Sequence, residues 1–506
     1  MPELKIPDIV KMFEEGEVDI PEFQREFVWS NNQVRDLAES IYKGYPIGLL
    51  TFFKVPSELK YRQERYWVLD GQQRLLSLVI IMKGKVEAIK GGQRQTVRLD
   101  IWFDPINEGF ELRQPRGEEE VRKWIKLSEV LQIRDRGVLE RILMERGFSP
   151  NEKEKVAKLW GTFRSDYKVL VYELSEDLDL DDLGNIFVRT NFAGTRVRGT
   201  DVYSTMIAVT YRGLVKELRD FCATLPIEID YGMLVRTFVA FITNGKVKLA
   251  SRVFEQAKKL KEVLSEKKEE LEEIAKKVKD CTAQALQILR KFGISRLPTE
   301  NVVPVMSYYI YKRGPISLEE EEGLFKWFIL ASHFGRYSTS VETRLNQDLA
   351  TISEGGNYRD LIENIERTVG DIKWSILAYI DAGGCDQLLL YALLRQSNAR
   401  DLLSGETLTQ ANTVLHHIFP VKHLFSLGRE ALVNDIGNLT LLTHSSNSRL
   451  LDELPENYLQ RVPLEVLKAH YMSEERELWK LERAEDFIKE RKERLKKAVE
   501  EFLAII

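Results

Sequence analysis

The chain contains six histidines, and four of them, His416, His417, His423 and His444, fall between positions 416 and 444. Around them stand three blocks: HHIFP at His416–Pro420, NDIGNLTLL at Asn434–Leu442 and SSNSR at Ser445–Arg449. Hydrolysis of a phosphodiester needs a base to take a proton from water and a divalent cation to take up charge on the leaving oxygen. His417 is a candidate base. His416 and the side-chain oxygen of Asn447 are candidate ligands for one Mg²⁺ or Mn²⁺ that keeps most of its coordination sphere for water and phosphate. Asn438, opening a second strand-like run, could orient an imidazole through a hydrogen bond. Adjacent histidines on an extended segment point to opposite faces, so the pair can divide these roles only if the strand ends and twists there. Pro420 and the loop after it allow that. His423 and His444 are read as structural.

A second set of polar residues lies near the amino terminus, in IPEFQREFVWS at Ile20–Ser30, YWVLDGQQRLLSL at Tyr66–Leu78 and IFVRTNFAGTRVRGTDV at Ile186–Val202. The middle block is a β-like run ending in Asp70 and Gly71, followed at once by a helical pattern with Leu75, Leu76, Leu78 and Val79. A strand-turn-helix junction points backbone N–H groups and a positive dipole at whatever lies above the helix, which favours phosphate. Gly71 permits a tight turn and close approach. Gln72 and Gln73 offer neutral donors, Arg74 a bidentate fork for phosphate oxygens, and Asp70 a carboxylate able to hold Mg²⁺ or position a water. A structural Arg-Asp pair is the alternative use of Asp70 and Arg74. No GxxxxGK[ST] occurs, so the block is not a P-loop. Tyr66, Trp67 and Phe192 are read as packing residues, and Arg196 and Arg198 as phosphate contacts or solvated charges.

The elements that must position these groups divide the chain into three. Residues 1–204 mix an amphipathic helix carrying Val34, Leu37, Ala38 and Ile41 with β-rich runs at Leu49–Val55, Tyr66–Leu69, Val97–Phe103 and Val169–Leu174, which predicts an α+β domain. Residues 205–400 are predicted to be helical, and the Lys/Glu-rich segment from Glu255 to Lys279 reads as a solvated helix because its charge signs alternate. Residues 401–506 return to strand-like TVLHHIF and NLTLLT before a helical tail. A length of 506 residues exceeds one hydrophobic core. With 43% apolar and 30% charged residues, the composition is that of a globular protein. The formal charge of −5, from 74 basic and 79 acidic residues, excludes a wholly basic coat but not local basic patches. Three scattered cysteines support neither a disulfide framework nor a cysteine-zinc site. No apolar run spans a bilayer, LLSLVIIM at Leu75–Met82 being of helix-core length, so a cytoplasmic location and no membrane partner are expected.

The carboxy-terminal blocks resemble the HNH, or ββα-metal, nucleases, whose pattern is Asp/His-His-Ile-x-Pro, then Asn-Leu-x-Leu-Leu, then a closing Asn or His on a helix. The resemblance implies a ββα-metal fold with His416 and Asn447 as metal ligands, His417 as general base and Asn438 as the residue that orients it. Two features depart from the pattern: the first ligand is His rather than the commoner Asp, and the cysteine pairs that bind zinc in many such modules are missing. The amino-terminal blocks resemble the ParB/sulfiredoxin-like domain of GmrSD-type, modification-dependent (type IV) restriction systems and of SspE-like phage-defence proteins. Phe23, Gln24, Arg25 and Trp29 supply the first recurring block, Asp70 to Arg74 the second, and Arg189, Asn191 and Gly194 the third.

This second resemblance implies a nucleotide site made of Gln24, Arg25, Asp70, Gly71, Gln72, Gln73, Arg74, Arg189 and Asn191, with Asp70 taking part in Mg²⁺-dependent hydrolysis. Whether the nucleoside triphosphate is GTP, UTP, CTP or ATP stays open. The function implied is a nucleotide-dependent DNA endonuclease of a restriction or phage-defence system. Its triphosphate site would control metal-dependent cleavage or nicking of modified or foreign DNA, with self-association left open. Two other readings are a nucleotide-regulated DNA-binding protein with an inactive HNH module, and a nuclease seated in the ParB-like domain itself.

Overall fold

The computed structural model describes residues 3–21, 26–55, 65–90, 93–175, 199–211, 213–248 and 253–504. The fold is mixed α+β, with the strands gathered mainly in the amino-terminal part and a largely helical remainder. It divides into two compact units. The first takes Met1–Ala223, Asp230–Gly232 and Ala250–Lys268, and the second takes Thr224–Ile229, Met233–Leu249 and Glu269–Ile506. The helices of the central segment are thus shared between two cores.

In the first unit, strand β1 (Glu3–Lys5) leads into helix α1 (Ile6–Glu14), β2 (Val18–Asp19) follows, and α2 (Asn31–Tyr42) begins at a capping box formed by Ser30 and Gln33. The helical spacing of Val34, Leu37, Ala38 and Ile41 places all four on the buried face of α2, with Tyr42 beside them. Strands β3 (Leu50–Lys54) and β4 (Tyr66–Asp70), helix α3 (Gln72–Lys83) and strand β5 (Lys168–Leu174) complete the frame. The sheet runs β1-β5-β3-β4-β2. The β5–β3 and β4–β2 pairs are parallel, while β1–β5 and β3–β4 are antiparallel. The whole Leu75–Met82 run of α3 is buried, because the helix packs against α1, α2 and the short helix Leu127–Gln132. A helix apolar all round is what such a position demands.

Two expectations change. The run Val97–Phe103 is not one strand: Gln93–Arg98 pairs with Lys85–Lys90, whereas Trp102–Asp104 pairs with Gly109–Glu111 and Ile125–Lys126. The alternation of Val97, Leu99 and Ile101 with Arg98 and Asp100 reads as one strand, but the partner switches between Arg98 and Trp102. The segment Glu255–Lys279 is likewise not one helix. It breaks at a 3-10 turn, Lys268–Glu270, between helices Val253–Glu266 and Leu271–Lys291.

The second unit is built from packed helices, among them α4 (Leu318–His333) and α5 (Gln387–Gln396). It also carries a two-stranded antiparallel ribbon, β6 (Thr413–His417) and β7 (Leu439–Thr443), followed directly by helix α6 (His444–Leu450). A cluster of buried residues including Ile418, Phe419, Leu442, Tyr458, Trp479 and Phe487 forms the core beneath the ribbon. The helix α7 (Ala484–Ala504) contributes Phe487 and Ile488 to that core. Among the described residues no helix is long and apolar enough to cross a membrane.

Candidate active site

The ribbon register sets His416 opposite Thr440 and His417 opposite Leu439. Alternation along β6 then does what the pleat requires: His416 is buried, 4% exposed, while His417 is half-exposed on the other face. At the end of β7 the Thr443 hydroxyl caps α6 by accepting from the Ser446 N–H, so the helix starts without a connecting loop. One turn later Asn447 reaches back, and its Oδ1 lies 2.8 Å from His416 Nδ1. An amide oxygen can only accept, so the imidazole carries its proton on Nδ1 in this pairing. His416 Nε2 is left buried with no hydrogen-bond partner. Burial pushes the His416 pKa down to about 4, with the His417 charge adding to the effect and the Asn447 bond opposing it. The ring is therefore neutral, the form that binds metals.

With its proton moved from Nδ1 to Nε2, His416 could join Asn447 Oδ1 in holding a divalent cation. Neighbouring ligands on an octahedral ion with bonds of about 2.1 Å lie about 3 Å apart, which the 2.8 Å between His416 and Asn447 approaches. The described residues hold no group of three His, Cys, Asp or Glu side chains able to bind a metal. A cation here would take an imidazole and an amide from the protein and fill its remaining positions with water or phosphate oxygen.

The second histidine is held differently. His417 Nε2 lies 3.3 Å from Asn434 Oδ1, a contact at the surface. This amide oxygen also only accepts, which places the proton on Nε2 and leaves Nδ1 as the basic nitrogen. Asn438 meets neither imidazole, contrary to the expectation that it would orient one. It is fully buried, accepts from the Phe419 N–H at 2.8 Å, and donates to the carbonyls of Phe419 and Val433 at 3.1 and 3.0 Å. It fixes the backbone just beyond His417, so it acts on the site through the chain. His423 bonds the Asp452 carbonyl, and His444 opens α6 at the surface.

Three braces had no signal in the spacing of the motif. Asp401, 1% exposed, accepts from the N–H and hydroxyl of Thr443 and from the Ser446 hydroxyl, fixing the start of α6. Burial alone would raise its pKa, but hydrogen bonds from Ser446, Ser404 and Thr443 outweigh burial and hold it at about 2. His470, fully buried, bonds the Arg400 carbonyl through Nε2 and the Thr440 hydroxyl through Nδ1, each at 2.7 Å, directly across the ribbon from His416. Arg491, on α7 and also fully buried, donates to the carbonyls of Ile436, Gly437, Leu439 and His470. Desolvation lowers its pKa to about 10. The helix comes this close because residue 437 is glycine: a Cβ there would lie 2.5 Å from the Ile488 carbonyl oxygen.

At the amino-terminal junction, β4 ends in Asp70, and Gly71 turns the chain with a left-handed φ of +87° before α3 begins. A Cβ on Gly71 would lie 2.4 Å from Leu50 Cδ2, so the turn needs glycine both for its dihedral and for its approach to β3. Arg74 is engaged within the protein: it donates to the Leu49 and Ile47 carbonyls at 2.7 and 3.3 Å and to Asp70 at 3.0 Å. Gln73, buried, accepts from the N–H groups of Val28 and Trp29 and donates to the Glu26 carbonyl. It clamps the Glu26–Trp29 segment onto α3. Gln72 is also buried, and Asp70 is half-exposed at the helix start. Gln24, Arg25, Arg189 and Asn191 lie outside the described residues, as do Phe23, Phe192, Gly194, Arg196 and Arg198.

Residues 6–207 match the amino-terminal domain of the GmrSD restriction endonucleases, and residues 374–498 match their carboxy-terminal domain. The chain is also similar to an uncharacterized protein of Methanocaldococcus jannaschii, at 21% identity over 92% of this chain and 88% of that protein. The first family match takes in the Gly71 junction, and the second takes in the ribbon, α6 and the braces beneath them. With both domains present in order at its two ends, the chain belongs to the GmrSD-type restriction endonucleases, enzymes of phage defence whose partner is DNA.

Proposed function

We propose that DNA cleavage takes place at the ribbon and α6, an HNH module, by metal-assisted phosphodiester hydrolysis. We further propose that a nucleoside triphosphate held by the ParB-like amino-terminal domain controls it. The observation that carries the cleavage reading is the approach of His416 Nδ1 to Asn447 Oδ1 at 2.8 Å beside a half-exposed His417. A bound Mg²⁺ or Mn²⁺ would offset charge on the phosphate and on the departing oxygen. His416 and Asn447 would hold it, the neutral imidazole carrying its proton on Nε2 and turning Nδ1 to the cation. His417, steadied by Asn434, accepts the proton of the attacking water at Nδ1. Asp401 and His470 keep β7 and α6 fixed against β6, so the ligands and base stay in register.

Nucleotide control is supported by the family resemblance and by Asp70, whose half-exposed carboxylate stands at the start of α3. Gln24, Arg25, Arg189 and Asn191 would complete that site. Arg74 and Gln73 support it by fixing the loops around it, since their hydrogen bonds are made to the backbone and to Asp70. Modified or foreign DNA is the proposed substrate. The test is relaxation of supercoiled plasmid, plain and modified, with Mg²⁺ or Mn²⁺ and with each of the four triphosphates in turn. Cleavage that needs the cation and changes with one triphosphate is expected. Cleavage by His417→Ala at the wild-type rate would overturn the HNH assignment, and cleavage indifferent to every triphosphate would overturn nucleotide control.

A further inference from the structure

Within the second unit a cavity of about 500 Å³ is lined by residues of α4, α5 and the end of α7, and none of the lining residues is a ligand or base of the ribbon site. The volume falls in the range of small-molecule sites, roughly 300–1,000 Å³. Its lining holds four cations, Lys291, Lys326, Arg395 and Arg400, against one carboxylate, Glu322. Lys291 is already paired with Glu321 outside the cavity, which leaves three positive charges facing one negative.

Lys326 is the unusual member. It interrupts the apolar run GLFKWFILA of α4, is only 7% exposed, and its Nζ has no hydrogen-bond partner. Its ammonium lies 5.3 Å from the face of Phe502, and Glu322, one turn back on α4, is the carboxylate that acts on it. A buried ammonium that makes no hydrogen bond is costly, and burial outweighs the Glu322 charge and lowers the pKa of Lys326. Arg395 lies over the Phe292 ring at 4.3 Å, and Phe292 stacks on Phe325 with their planes 7° apart. The cavity therefore joins an excess of positive charge, three cations against Glu322, to an aromatic stack. A phosphate bears the charge these cations lack, and a planar ring suits the walls.

We propose that this cavity binds a small phosphorylated ligand with a planar part, a nucleotide in chemical class, through Lys326 and Arg395. The site is separate from the triphosphate site proposed for the amino-terminal domain. Its lining includes Arg400, whose carbonyl is bonded to His470, one of the braces of the ribbon.

The test uses the full chain with AMP, GMP, CMP, UMP and inorganic pyrophosphate as probes at millimolar concentration, followed by hydrogen exchange with mass spectrometry. At least one probe is expected to slow exchange in residues 322–328 and 391–400. Lys326→Met, which keeps the length of the side chain and removes its charge, is expected to weaken that probe by roughly tenfold or more. The same change should raise the melting temperature of the unliganded protein, because it removes a buried ammonium that makes no hydrogen bond. Arg395→Gln serves as the second variant, with the same loss of binding and no rise in melting temperature. Three results would overturn the proposal: no protection of these segments by any probe, protection confined to the Tyr66–Leu76 region, or undiminished protection in both variants.

Discussion

Both ends of the chain use a strand that passes straight into a helix, yet the two junctions spend their polar residues differently. At Asp70–Gln72 the turn is made by a left-handed glycine with no side-chain cap, and the polar side chains that follow fold back: Arg74 onto Leu49, Ile47 and Asp70, and Gln73 onto Glu26, Val28 and Trp29. At Thr443–His444 the cap is a threonine side chain, Asp401 takes over the structural bonding, and Asn447 is released to face His416. A polar motif residue at a helix start can thus be part of the frame or part of the chemistry. The partner decides which: backbone amides and carbonyls mark the frame, and another side chain with spare coordination marks the chemistry.

The strongest challenge to this contrast is His417→Ala. As the proposed base, His417 should account for a loss of roughly 10² to 10⁴ in plasmid cleavage. Its half-exposed position predicts an unchanged melting curve, and full activity in the folded variant would place catalysis elsewhere. Asn438→Ala should behave in the opposite way. It leaves the buried Phe419 N–H and two carbonyls unpaired, at a cost of about 1–3 kcal/mol for each such group, so thermal unfolding should move first and cleavage should follow it. A fall in activity with stability intact would return Asn438 to the chemistry. Arg74→Ala tests the amino-terminal frame: losing charge-assisted bonds to carbonyls and Asp70 should cost about 1.5–3 kcal/mol in denaturant titration. If stability holds while triphosphate affinity collapses, Arg74 contacts phosphate after all. The smallest effect belongs to Asn434→Ala. The surface contact at 3.3 Å should be worth less than about 1.4 kcal/mol, a drop of under about tenfold in cleavage.

Acid should separate the frames as well. The carboxyl of Asp401 is held below its ordinary range, at about 2. Its contribution to stability is present above the unfolded carboxylate pKa of about 4 and is lost as pH falls toward 2. Melting temperatures measured from pH 5 downward should therefore fall more steeply in wild type than in Asp401→Asn, whose own melting temperature at neutral pH is expected to be lower.

What the sequence made legible was periodic. The stripe through Val34, Leu37, Ala38 and Ile41 and the strands at β3, β4 and β5 follow spacings that backbone geometry imposes, and the apolar run of α3 is long enough to read as a buried helix, so position alone reveals them. The approach of Asn447 to His416 was legible for another reason, since β7 runs directly into α6 and carries Asn447 to the strand that pairs with it. Residues that act across long separations left no such trace. Asp401, His470 and Arg491 recognise backbone groups or capping hydroxyls far away in sequence, and nothing in their immediate neighbours records those partners. Asn438 illustrates the same limit inside a motif. Its place beside the second strand suggested an imidazole, whereas the fold of the 418–420 loop offered it peptide groups.

Arg491 carries a consequence for how the molecule is made. It braces the residues just before β7 and the first residue of β7, yet it sits on α7, which leaves the ribosome after every residue of the ribbon and α6. The histidines and Asn447 are thus synthesised while the groups that hold them in register are still missing. The order of translation therefore bears on the ribbon: its register is secured only once α7 folds back against it.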